Sequence, residues 1–154
     1  QEVAMKLTHK IFLELITVFA CTLTLVFTVT AVAQAETYRA RLSPMPTTPQ
    51  TVTTITGEGE VILILDGSTL TVSGNFMGMN SAATMAHIHN GPPAQPGPVV
   101  QQLEITKMPA GEINAVLELT GEQVVALNNN ALYIQVHSET NPPGELRGWI
   151  FIRN

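Results

Sequence analysis

Beyond residue 36 the chain alternates apolar and polar side chains with a period of two, the signature of half-buried strands. Tyr38, Ala40 and Leu42 alternate with Thr37, Arg39 and Arg41, predicting a strand over 37–43. Residues 57–65 rise into Val61-Ile62-Leu63-Ile64-Leu65, an unbroken apolar run that predicts a strand buried on both faces. Asp66-Gly67 then reads as a two-residue hairpin turn. The return strand, 69–76, sets Leu70, Val72, Gly74 and Phe76 on one face and Thr71, Ser73 and Asn75 on the other. Further strands are predicted over 84–89, 99–105, 112–119, 132–138 and 146–153. Between them, Ser43–Thr53, with three prolines and four threonines, reads as a loop or ragged edge, and the proline-rich Asn90–Pro98 cannot be a central strand because proline lacks the ladder donor. Asn141-Pro142-Pro143-Gly144 is a turn by composition. Thr120 followed by Gln123 is a capping box that opens one short helix near 121–128. The pattern predicts an all-β domain: an antiparallel β-sandwich or barrel of about eight strands with one short helix. Its core should draw on Leu42, Leu63, Leu65, Leu70, Val72, Phe76, Ile88, Leu103, Leu117, Ile134, Val136, Leu146 and Ile150.

The first segment reads differently. Lys6 and Lys10 precede an uncharged run from Leu15 to Ala35 that ends in Ala33-Gln34-Ala35, a small-x-small tripeptide. This predicts an N-terminal signal helix over 1–35, cleaved before Glu36, and an exported domain over 36–154. The alternative is an uncleaved membrane anchor, since the run is about as long as a bilayer span. Either way the domain is placed outside the cytoplasm, periplasmic or extracellular. It touches a membrane only through that segment.

Charge and cysteine content narrow the chemistry. The chain carries Lys+Arg 7 against Asp+Glu 12, a formal charge of −5, which excludes binding along a run of nucleic-acid phosphates. Its single cysteine, Cys21, lies in the signal segment. The domain therefore has no disulfide, no cysteine nucleophile and no cysteine-based zinc ribbon. No Gly-x-Ser-x-Gly elbow and no phosphate-binding glycine loop is present.

Three histidines remain as candidates for chemistry. His87 and His89 share one face of a strand, opposite Ala86 and Ile88. His137 stands opposite Ile134 and Val136, on the face of Tyr133 and Gln135. All three imidazoles are thus expected on the outer face of the sheet. His-x-His with a third histidine on a neighbouring strand suits copper or zinc. By the same parity Glu145 falls near His137, as a fourth ligand or as a group orienting the imidazole. Arg147 would pair with Glu145 or another carboxylate on that face. The plainer alternative is that these are surface imidazoles bonded to carbonyls or carboxylates. Met77, Met79 and Met85 lie close by in sequence, as soft ligands or as packing. Pro92, Pro93 and the outward Trp149 and Phe151 offer a contact surface for an extracellular protein or glycan.

Taken together, Tyr38-Arg39-Ala40-Arg41-Leu42-Ser43, Ala86-His87-Ile88-His89-Asn90-Gly91, Leu132 to Ser138 and Asn141 to Gly148 resemble the CHRD domain family. That family is named for chordin and is widespread in exported bacterial proteins. The resemblance runs from about residue 37 to 153. Pro143 stands where a glycine is usual, and Trp149 where a polar residue is commoner. The resemblance implies an extracytoplasmic β-barrel or sandwich, immunoglobulin-like or superoxide-dismutase-like, and no fixed activity. A weaker similarity puts His87, His89 and His137 in the roles of the copper ligands of Cu/Zn superoxide dismutase. The bridging histidine, the zinc subsite and the disulfide of that enzyme are missing. The expected function is a non-catalytic binding module carrying a histidine-based metal site. The alternative is a mononuclear copper or zinc protein with dismutase-like redox activity.

Overall fold

The computed structural model describes residues 34–153. Apart from Gln34 and Ala35, the segment read as an export signal lies outside the described residues. Among the described residues no helix is long and apolar enough to cross a membrane. The elements are β1 (Glu36–Pro44), β2 (Glu58–Asp66), β3 (Thr69–Met77), β4 (Ala83–Asn90), β5 (Val99–Ile105), β6 (Gly111–Glu118), α1 (Gly121–Asn128), β7 (Leu132–Ser138) and β8 (Leu146–Ile152). The strands pair antiparallel and close into a barrel in the order β1-β2-β3-β6-β5-β4-β7-β8. Of the two expected architectures the barrel is the one formed, and its closure leaves no free sheet edge.

An eight-stranded barrel is just wide enough for side chains to fill its interior. Alternation supplies that filling. Tyr38, Ala40 and Leu42 point in from β1 while Arg39 and Arg41 point out. On β2, Val61, Leu63 and Leu65 point in, but Ile64 points out and is 43% exposed. The expectation that this run is buried on both faces is therefore corrected. The barrel has one dry side, and the outward isoleucines serve strand propensity rather than the core. The hairpin is corrected by one residue. Asp66 pairs with Thr69, so Gly67-Ser68 forms the loop, with Gly67 at φ +62° in the first position as a type II′ turn requires. The expected core residues are buried apart from Leu117, which is half-buried against the core.

The capping box is present. Gln123 N donates to Thr120 Oγ1 at 3.2 Å, and Thr120 N donates to Gln123 Oε1 at 3.0 Å. From its first turn the helix reaches β5 through the Gln123 side chain. β5 and β6 pair only at Glu104–Asn114 and Ile105–Ile113. Beyond that point Gln123 Nε2 donates to Val100 O, and Gln101 Nε2 donates to Gln123 Oε1.

The wall made by β4, β7 and β8 carries the candidate residues. Ala86, Ile88, Ile134, Val136, Leu146 and Ile150 fill the interior. On the outside, register sets Met85 against His137, His87 against Gln135 and His89 against Tyr133. Tyr133 is set in turn against Trp149, and Gln135 against Arg147. The expected outer-face placement is met in strand parity. Exposure differs from expectation, because His89 and His137 are each only 8% exposed. The proline-rich loop 91–98 and the turn 139–145 both bond back onto this wall and cover them.

Candidate metal centre

His89 and His137 are each held by a strand from below and by a loop from the side, while His87 meets His137. His89 on β4 shares a 2.9 Å hydrogen bond between Nδ1 and the Gly97 carbonyl. A carbonyl only accepts, so Nδ1 carries the proton and the lone pair of the neutral ring lies on Nε2. That Nε2 is buried and has no hydrogen-bond partner. His137 on β7 is fixed in the same way: Nδ1 donates to the Pro142 carbonyl at 2.8 Å, leaving the lone pair on Nε2. His137 Nε2 faces His87 Nδ1 at 3.3 Å. Two ligands bound tetrahedrally at zinc–nitrogen distances lie about 3.4 Å apart, so this pair is already at ligand spacing. Potential ligand atoms of the three residues all lie within 4.8 Å of one another.

The electrostatics favour neutral rings. Burial pushes the His87 pKa below 6.5, with help from His137 and His89. Burial also pushes His89 down, opposed by its bond to Gly97 and assisted by His137 and Arg147. Neutral imidazole is the form that binds a metal. Tyr133 stacks flat on His89, with centroids 4.8 Å apart and an interplanar angle of 9°. Its hydroxyl accepts from Gly97 N at 3.1 Å, so it braces both the ring and the loop that holds the ring.

The remaining candidates are placed elsewhere. Glu145 is fully buried. Its Oε1 accepts from Thr56 N at 3.3 Å and Asn80 N at 3.4 Å, and its Oε2 accepts from Asn141 Nδ2 at 3.1 Å. The expected solvent-facing carboxylate beside His137 is thus corrected. Glu145 precedes β8, so strand parity does not govern it, and three N–H groups draw its carboxylate inward. Arg147 does not meet Glu145. Its Nε and Nη2 donate to Gln135 Oε1 at 3.0 and 2.7 Å. The guanidinium lies over Tyr133 at 5.0 Å and Trp149 at 5.8 Å. Stacking on two rings outweighs an ion pair with a carboxylate that is already saturated. Trp149 is half-buried and donates Nε1 to the Gly91 carbonyl at 3.0 Å, tying the proline loop to β8. Pro92, Pro93 and Phe151 are exposed.

A family model described as the CHRD domain matches residues 38–150. The chain belongs to the CHRD domain family. The match starts in β1 and ends in β8, so it takes in the whole barrel and all three histidines. No curated protein and no solved structure matches the chain. CHRD domains occur in exported and extracellular proteins. Within this CHRD domain, several groups that shape the site are invisible to a reading of side-chain types. The Gly97 and Pro142 carbonyls that set the tautomers are backbone atoms. Asn141, which joins Glu145 to the turn, is only a turn residue by sequence. Tyr133 was readable as an outward neighbour of the histidines, but not as the base on which His89 rests.

Proposed function

We propose that this CHRD domain is an exported, non-catalytic binding module that holds one copper or zinc ion through His87, His89 and His137. The observation that carries the reading is His89: a ring buried to 8% exposure whose Nε2 has no partner. Leaving a buried acceptor unsatisfied costs about 1–3 kcal/mol, and a metal ion removes that cost. Two backbone carbonyls select the tautomer that points Nε2 of His89 and His137 at a ligand, the arrangement metal-binding histidines use. Glu145 acts from behind. It anchors Asn141, which shapes the turn whose Pro142 carbonyl orients His137. Export is supported by the uncharged run and small-x-small tripeptide ahead of Glu36. The exposed Pro92 and Pro93, beside Trp149, provide the surface for an extracellular protein or glycan.

Thermal unfolding with and without Cu(II) or Zn(II) tests the site. A midpoint raised by metal in the parent and unmoved in His87→Ala, His89→Ala and His137→Ala is expected, because an ion that binds only the folded state stabilises it. An unmoved parent would refute it. Three nitrogen ligands leave one position of a tetrahedral ion free, which favours dismutase-like redox activity as a second reading. Copper-loaded protein no more active than free copper would end that reading and leave the first intact.

A further inference from the structure

We infer that Met85 is a fourth, soft ligand of this site and that the ion it selects is cuprous copper. The inference rests on the three-histidine reading and adds the ligand and the oxidation state. The β4–β7 register shifts between Ala83 and Met85. Met85 and His87 alternate with the inward Ala86 and Ile88, so strand parity sets Met85 outward beside His87, and the bulge just before it re-aims Ala83 to the interior. Its register partner on β7 is His137. Directly opposed side chains in an antiparallel pair have Cβ atoms about 4.5–5.5 Å apart. Met85 thus neighbours two of the three candidate ligands, one along the strand and one across it.

Packing gives Met85 no other task. It is 44% exposed. It lines a shallow groove with Gln102 and Glu104, on the flank of β4 away from the two covering loops. Loops 91–98 and 139–145 hold His89 and His137, whereas Met85 is free of both loops and its groove is lined by none of the three histidines. An unbranched side chain with three rotatable bonds can swing its sulfur from the groove to an ion bound at the histidines. The carboxylate alternatives are weaker. Glu145 already accepts three N–H bonds, and no carboxylate oxygen joins the three-histidine cluster among the described residues. Three imidazoles serve zinc and copper alike, whereas a thioether favours Cu(I).

The test compares the parent, Met85→Leu and His87→Ala. Cu(I) affinity is measured anaerobically by competition with bicinchoninate, and Zn(II) affinity by competition with a chromophoric chelator. Met85→Leu should weaken Cu(I) by about tenfold or more and move Zn(II) by no more than about twofold, since leucine has a similar volume and no sulfur. Unchanged Cu(I) affinity, or equal losses for both metals, overturns the role of Met85. A parent that binds neither ion, or a His87→Ala protein that binds both as the parent does, overturns the three-histidine site itself.

Discussion

On the His89 ring, Nδ1 is bonded to a loop carbonyl while Nε2 is buried and unpaired. Such a ring resists protonation, and so does His87, for the same reason of burial. Both bind fewer protons folded than unfolded at pH values between their depressed pKa and the ordinary 6.5. Their contribution to stability is therefore complete above about pH 6.5 and is lost as pH falls through the folded-state values. The thermal midpoint of metal-free protein should drop between about pH 7 and pH 5, and the His87→Gln/His89→Gln double variant should show a flatter profile. Equal slopes would contradict this account of the rings. Glu145 offers a separate test. Glutamine there replaces an acceptor oxygen with an N–H that faces other N–H groups, so Glu145→Gln should cost about 1–3 kcal/mol in chemical denaturation. It should also weaken metal binding without abolishing it, because the carboxylate positions the turn and is not a ligand. Metal binding unchanged in that variant would remove Glu145 from the site.

At the scale of elements, loops decide what the strands alone leave open. In loop 91–98, Gln95 N donates to Pro92 O and Ala94 sits at φ +69°, the third position of a turn that favours glycine. Ala94→Gly should therefore raise stability by up to about 1 kcal/mol, read by thermal unfolding. Gly97 in the same loop has no room for a side chain: a Cβ there would overlap the Asn90 carbonyl. Gly97→Ala should displace the carbonyl that holds His89, lowering both the midpoint and the metal response. The helix is the other test. Thr120→Ala removes the cap and should cost about 1 kcal/mol. Because Gln123 of α1 bonds Val100 O and the Gln101 side chain, amide exchange at the start of β5 should rise with it. Strands, helix and cap were all legible as patterns of residue type. The loops were legible only as loops. Prolines and glycines mark where pairing stops, but not that the chain folds back to cover His89 and His137. That is why the imidazoles read as exposed.

For the whole molecule, closure of the barrel relates the local features to one another. Alternation predicted which residues face inward on the strands where it was clear, and those residues fill the interior apart from the half-buried Leu117, whereas the unbroken apolar run of β2 hid its outward Ile64. Sandwich and barrel share that alternation, so strand patterns could not separate them. The choice depends on β1 meeting β8 across most of the chain length, a contact with no local signature. The β4–β7 and β7–β8 pairings set these three strands side by side and assemble three histidines from two strands on one wall. Glu145 escaped the same logic because it lies in a turn, where parity ends and hydrogen-bond demand takes over. The central claim is that this wall is a metal site. Anomalous X-ray diffraction from copper-soaked crystals, recorded at the copper edge, tests it most directly. The account predicts a single strong peak bounded by His87 Nδ1, His89 Nε2 and His137 Nε2. No peak there, or copper only at other surface positions, would contradict it.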